Sequence, residues 1–213
     1  MNDKIKKKLL KVYKKTIGVI NNKKIKNKDI TIISNNCWGG IFYRNNNLEY
    51  LSPTLGLFFM AEEYIKFIYN IRYYIEQDIT FINIEQSKYK NYLKKLNYNS
   101  PIGKIDDLEI MFLHYKNEDE AKEKWNRRKE RINWNKIIYK FSDQNMCTYK
   151  HLQQFNEFNA KNKICFTTRK YENLDTIQIK EFEKYENVVD DIKKYKKYFD
   201  IYKFINNIKI EGE

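Results

Sequence analysis

Ile30-Thr31-Ile32-Ile33-Ser34-Asn35-Asn36-Cys37-Trp38-Gly39-Gly40 is the stretch on which the reading of this chain turns. The apolar run from Ile30 to Ile33 breaks abruptly into small polar residues, one thiol, one indole and two glycines. A buried strand that ends in a polar, glycine-containing turn is where open α/β folds place ligands. The spacing therefore predicts a strand over 29–34 and a ligand-facing turn from Ser34 to Gly40.

Beyond the turn, the apolar segments 41–44 and 48–51 flank Asn45-Asn46-Asn47, a pattern that predicts a β-hairpin. Ser52-Pro53-Thr54 reads as an N-cap followed by the first helical turn, opening a largely buried helix over 57–76. Residues 79–84 form a short strand. Residues 86–97 are basic and aromatic, a helix or a loop, and 99–103 form a turn. The segment 108–113 is a strong strand that delivers His114 at its end. Asn117 and Glu120 match a capping box, and the helix they open, to about residue 132, begins acidic and ends basic in keeping with its dipole. A strand over 136–141 ends at Ser142-Asp143-Gln144, a helix covers 148–159, and a strand over 163–166 ends at Thr167-Thr168-Arg169. A last strand over 175–179 and an amphipathic helix over 190–207 complete the chain. This alternation implies an α/β fold: a three-layer, mostly parallel sheet flanked by helices, with an inserted β-hairpin.

Composition bounds the function. Of 213 residues, 42% are hydrophobic and 16% aromatic, too apolar for a disordered chain despite 32% charged residues. No run approaches the roughly 18 apolar residues of a membrane span, and lysines interrupt any leader-like core at the N-terminus. Cys37, Cys147 and Cys165 form no CxxC pair, so neither a disulfide framework nor a zinc knuckle is indicated and no metal site is expected. A soluble, cytoplasmic protein follows. The net charge is +13, but residues 1–30 hold eleven lysines against Asp3 and Asp29 and so carry +9 of it. That concentration argues against a specific nucleic-acid binder. Residues 1–28 are read as a basic N-terminal helix, ending near Gly18, plus a polar linker, and 29–213 as a single α/β domain. Ile5, Leu9, Val12 and Val19 give the helix an apolar stripe. Residues 3–17 either pack on the domain or make a peripheral contact with the inner face of a membrane.

Side chains just beyond the carboxyl ends of parallel strands share one edge. That edge gathers Ser34, Asn35, Asn36 and Cys37, then His114, then Asp143, then Thr167, Thr168 and Arg169. Cys37 is the natural nucleophile, His114 its base and Asp143 the orienter of the imidazole. Asn35, Asn36 and the amides around Gly39 and Gly40 would donate to a developing oxyanion. The plainer alternative makes Cys37 a small packed residue and His114 a structural one. Ser52 and Thr54 either bind an anion at a helix start or merely cap it. Trp38 and Tyr43 can stack on a sugar or base, or serve the core. Arg128 shares a helix face with Ala121, Trp125 and Ile132, so an inward guanidinium needs a carboxylate or phosphate partner, unless its stem packs while its head snorkels.

Several motifs in order, Ile33 to Gly40, Tyr50 to Thr54 with Gly56 to Phe59, Phe112 to Tyr115, and Glu120 to Arg128 through Asn133, resemble an uncharacterised bacterial family whose members are often labelled exopolysaccharide or capsule biosynthesis proteins. The resemblance spans about residues 30 to 168 and implies an α/β fold and a polysaccharide context, without an established activity to transfer. The Asn-Cys turn is also loosely similar to capsule-modifying acyltransferase-like proteins. The expectation is an enzyme that transfers an acyl or glycosyl group to a polysaccharide precursor, with an acyl-CoA or a sugar nucleotide as donor and acyl transfer favoured. In the acyl version Cys37 attacks or binds the acyl donor and His114 moves the proton. In the glycosyl version Asp143 or Arg128 surrounds a nucleotide diphosphate, although no Asp-x-Asp is present. The competing expectation is a non-catalytic sugar- or phosphate-binding module of a membrane-associated biosynthetic complex.

Overall fold

A computed structural model of the chain describes residues 3–210. In chain order, helix α1 (Asp3–Lys23) precedes strand β1 (Thr31–Ser34), α2 (Trp38–Asn45), α3 (Ala61–Tyr69), α4 (Ile71–Glu76), β2 (Thr80–Ile82), α5 (Lys90–Lys95), β3 (Ile102–Ile105) and β4 (Leu108–Met111). Then come α6 (Glu118–Lys129), β5 (Ile137–Ser142), α7 (Tyr149–Glu157), β6 (Lys163–Thr167), β7 (Ile177–Gln178), α8 (Asp191–Lys194) and α9 (Ile201–Asn206). Strands β1, β5, β6 and β7 form a sheet in the order β1-β5-β6-β7, parallel throughout. Strands β2, β3 and β4 form a separate antiparallel sheet.

Strand alternation builds the three layers. Ile33, Tyr139, Phe141 and Cys165 face one core with α3, α6 and α7, where Tyr64, Trp125 and Phe155 are buried. Their sequence neighbours Ile32, Ile138, Ile164 and Phe166 face the other core, closed by Trp38, Phe42 and Tyr43 of α2 and by Tyr195, Ile201 and Ile205 near the C-terminus. The α/β class, the parallel sheet and its flanking helices are thus as the sequence implies.

Four local expectations are corrected. Residues 38–45 form a helix, not a hairpin strand: Trp38, Gly39, Phe42 and Tyr43 are buried at helical spacing, and Trp38 stacks on Phe42 with ring centroids 5.6 Å apart. The antiparallel hairpin lies instead at β3–β4, turned by Asp106 at φ 53°. Its Gly103 is required, since a Cβ there would stand 2.5 Å from the Phe112 ring. The helix expected from Ser52 begins only at Ala61, because the chain before it is recruited into extended pairing: Phe58 exchanges backbone hydrogen bonds with Met111, and Phe59 N donates to Asn35 O. The closing helix over 190–207 is interrupted, because Asp190 and Asp200 each cap a fresh start, Asp200 accepting from Tyr202 N and Lys203 N.

The N-terminal segment is tied down at its end. Helix α1 runs past Gly18 to Lys23, and Asn21 and Asn22 donate to the terminal carbonyls of α2 at Asn45, Asn46 and Asn47. Asn27 donates to Ile205 O and Asn206 to Lys24 O, so the segment read as a linker is bonded to α9. Leu9 and Val19 of the expected stripe are exposed, while the side chains of Ile5 and Val12 lie outside the described residues. Among the described residues, no helix is long and apolar enough to cross a membrane.

Candidate functional site

Strand β1 is a sheet edge, and the loop 51–54 covers it. Thr31 Oγ1 donates to Leu51 O at 2.9 Å, Ser34 N donates to Thr54 Oγ1 at 3.1 Å, and Thr54 Oγ1 donates to Ile32 O at 3.3 Å. Ser52 Oγ lies 3.0 Å from Thr54 Oγ1. The Thr54 hydroxyl thus satisfies the Ser34 N–H and the Ile32 carbonyl that a further strand would otherwise pair, and Ser52 braces Thr54. Ser52 and Thr54 are therefore neither a helix cap nor an anion site. Tyr43 serves the same strand: its hydroxyl donates to Ile30 O and accepts from Ile32 N, both at 2.9 Å.

At the carboxyl end of the sheet, Asn35 pairs its amide with the backbone of Ser142, donating to Ser142 O at 2.9 Å and accepting from Ser142 N at 3.1 Å. Asn36 Oδ1 accepts from Trp38 N, the first residue of α2, at 3.0 Å, and its amide nitrogen donates to Gln144 Oε1 at 2.7 Å and Asp191 Oδ2 at 2.9 Å. Ser34 Oγ donates to the same Asn36 oxygen. The side-chain amides of Asn35 and Asn36, expected to hold an oxyanion, are thus already committed. Trp38 is core, wedged among Phe42, Phe166 and Tyr195. Gly39 lets α2 lie close on β1, a Cβ there meeting Ile32 at 3.1 Å.

Beneath this turn lies a cluster the sequence reading did not single out. Lys140 of β5 is wholly buried, and its ammonium donates to Asn36 Oδ1 at 3.0 Å, to Ser142 Oγ at 2.7 Å and to the Asp191 carboxylate. Asp191 Oδ2 also accepts from Ser142 Oγ at 2.6 Å. The ammonium sits 5.9 Å from the Trp38 ring centroid and 5.7 Å from that of Phe166. Burial opposes ionisation of Asp191, but the Lys140 charge and the Ser142 and Asn36 hydrogen bonds outweigh it and hold the carboxyl below its ordinary range. Burial lowers Lys140, and Asp191 resists. The signal in the sequence was a lysine at an inward position of an otherwise apolar strand, which needs a buried partner.

Cys37 is half-buried above this pair, with its Sγ 3.7 Å from Leu57 O. Burial and the Asp191 carboxylate push the thiol up to about 11, against the pull of Lys140 and Arg44. Two cavities meet at Cys37. The first, of about 430 Å³, is lined by Cys37, Gly40, Arg44, Tyr50, His114, Lys124 and Arg128 among others. The second, of about 470 Å³, lies on the other side and includes Asn36, Gln144 and Asp191.

The first cavity is basic. The Arg128 guanidinium donates to the Tyr115 hydroxyl at 2.8 Å and lies 5.5 Å from the Tyr50 ring centroid, with no ion pair to a carboxylate among the described residues. Arg44, on the last turn of α2, likewise has no carboxylate partner among the described residues. Lys124 is paired with Glu120 at 2.5 Å. His114 is exposed at the cavity wall, and its backbone N donates to Gly56 O at 2.9 Å, where Gly56 adopts φ 70°. His114 arrives from the antiparallel sheet, not from a parallel strand end as expected.

The structure therefore brings together Cys37, Gly40, His114 and Arg128, and adds Arg44, Tyr50, Tyr115 and Lys124. It does not assemble the expected triad. Asp143 accepts from Thr168 N at 2.7 Å, Thr168 Oγ1 at 3.1 Å and Val188 N at 2.7 Å, so its oxygens face β6 and the 188 loop rather than His114. Burial raises its pKa. Arg169 is exposed and lines neither cavity.

A relative from Haemophilus influenzae (strain ATCC 51907 / DSM 11121 / KW20 / Rd), described as an uncharacterized protein, is 33% identical over 194 residues, covering 87% of this chain and 88% of its own length. Residues 8–210 match a family described as a domain of unknown function, DUF1919, a span that takes in α2, both sheets and both cavities, and the chain belongs to that family.

Proposed function

We propose that this protein binds the phosphate-bearing part of an activated donor in its basic cavity and transfers a group from it to a surface-polysaccharide precursor. The observation that carries this reading is the pair of guanidiniums, Arg44 and Arg128, lining one cavity without a carboxylate among the described residues to neutralise either. A guanidinium presents a planar fork of donors that matches phosphate, and two of them around one space favour a polyanion. Tyr50 adds a ring face for a sugar or base. A sugar nucleotide fits this chemistry, and so does the phosphate end of an acyl-CoA. The state of Cys37 separates them. A thiol held protonated, beside amides already bonded elsewhere, is poorly prepared to carry an acyl group, so the sugar nucleotide is the favoured donor. Polysaccharide as the acceptor rests on the motif resemblance alone.

The test is a thermal-shift series on the full chain with UDP-glucose, UDP-N-acetylglucosamine, acetyl-CoA and pyrophosphate. A ligand at about ten times its Kd stabilises by about 1.4 kcal/mol, which for a chain of this size raises Tm by about 3–5 °C. Arg44→Met with Arg128→Met should remove the shift. No shift from any phosphate-bearing probe, or an undiminished shift in the double variant, would end the proposal. Binding without turnover on any acceptor would instead favour the non-catalytic phosphate-binding module.

A further inference from the structure

The second cavity differs in chemistry from the first at almost every wall. No lysine or arginine among the described residues lines it. Its floor is polar but nearly neutral: Asp191 is cancelled by Lys140, and Asp190, at the mouth, pairs with Lys193 at 2.8 Å. Amides dominate the polar lining, with four asparagines and Gln144 present. Leu96, Leu113 and Val189, each more than 40% exposed, rim the opening. Exposed apolar side chains grouped around a cavity mark a binding site rather than ordinary surface. The hydrogen bonds that Asp191 accepts from Lys140, Ser142 and Asn36 all go to Oδ2, beneath the cavity wall.

We infer that this cavity binds an uncharged saccharide, and that Cys37 marks the junction between a sugar acceptor on this side and an anionic donor on the other. Asn36, Gln144 and Asn145 spend amide groups inside the protein, while the exposed Asn97 amide and the Asn145 side-chain oxygen, with no partner among the described residues, can exchange hydrogen bonds with hydroxyls in both directions. An apolar rim with the Tyr98 ring covers the C–H face of a pyranose. A phosphate gains nothing here, because no lysine or arginine among the described residues lines the cavity. The same floor links recognition to the fold, because Asn36 both lines the cavity and bonds the first N–H of α2, whose last turn carries Arg44. The role of the sugar as acceptor rests on the transfer reading above, whereas its binding rests on this cavity alone.

Ligand-observed saturation-transfer NMR on the full chain, with the methyl glycosides of glucose, galactose and N-acetylglucosamine as probes, tests the inference. At least one glycoside should receive saturation. Val189→Trp and Leu96→Trp, at two exposed rim positions, should each reduce that transfer at least fivefold while leaving Tm and the pyrophosphate shift unchanged. Arg44→Met should leave glycoside binding intact. Transfer to none of the glycosides overturns the inference, and so does transfer undiminished in both rim variants. Glycoside binding with no pyrophosphate binding would leave this site standing and remove the donor reading instead.

Discussion

Replacing Lys140 by Met tests the cluster under the turn. The substitution keeps an unbranched stem of similar bulk, so little packing is lost, but it strips the charge from beside a carboxylate that is about 1% exposed. Asp191 would keep only the donors of Ser142 and Asn36. Removing one partner from a buried ion pair costs about 3–5 kcal/mol, because the remaining charge stays uncompensated in a low-dielectric site. That is a large fraction of the 5–15 kcal/mol by which domains are stable. Asp191→Leu strands the ammonium and should cost a similar amount. Lys140→Met with Asp191→Leu removes both charges and orphans only neutral groups, chiefly the Ser142 hydroxyl, for about 1–3 kcal/mol. The cycle therefore carries a coupling of about 3 kcal/mol or more. Urea denaturation at pH 7 reads it: with m near 2–3 kcal/mol/M, Lys140→Met should lower the midpoint by about 1–2.5 M. A cost below about 1 kcal/mol, or single costs that add to the double within about 0.5 kcal/mol, would refute the reasoning. The pH dependence has a fixed sign. The Asp191 pKa is depressed in the folded state, so its contribution is complete above the unfolded value of about 3.9 and is lost as pH falls through the folded value. The advantage of wild type over the double variant should hold from pH 7 to 5 and shrink only below about 3.9.

Two further expectations follow from the same geometry. Thr54→Val keeps the shape but leaves the buried Ser34 N–H without its acceptor, and should cost about 1–3 kcal/mol in urea midpoint analysis; a neutral result would mean that the loop does not satisfy the edge of β1. Cys37, held near 11 by burial and Asp191, should react with iodoacetamide far more slowly than free cysteine at pH 7.5, with its rate rising about tenfold per pH unit up to pH 10. Peptide mapping by mass spectrometry reads that rate, and reactivity equal to free cysteine at pH 7.5 would show that the thiol is not raised.

The layered architecture was legible in the chain because it is a local property. Period-two alternation in 31–34, 137–142 and 163–167 sorts Ile32, Ile138 and Ile164 to one core and Ile33, Tyr139 and Cys165 to the other. The start of α6 was equally legible, with Asn117 capping Glu120 N. Part of the site was also readable from local signals: a strand breaking at Ser34–Cys37, and an arginine placed inward by helical spacing at Arg128. Residues 38–45 misled because a short apolar segment followed by three asparagines fits a hairpin as well as a helix. The i, i+4 pair Trp38 and Phe42 was the available clue, but its meaning depends on Phe166 and Tyr195, far along the chain.

By itself, the sequence determined the alternation of strands and helices, the two faces of the parallel sheet and the turn at which β1 ends. These follow from side-chain periodicity and from the conformational limits of Asn, Gly and Pro, which act over a few residues. Only the tertiary structure decided which polar residues at that turn are spent and which are free. Asn35, Asn36, Thr54 and Asp143 each satisfy a backbone or buried group from a distant segment, and Lys140 finds its counter-charge fifty-one residues later at Asp191. Burial makes every such partnership obligatory, and the identity of the partner depends on chain folding, to which local spacing is blind. What remains uncommitted around Cys37 is a basic cavity on one side and a neutral, amide-rich one on the other.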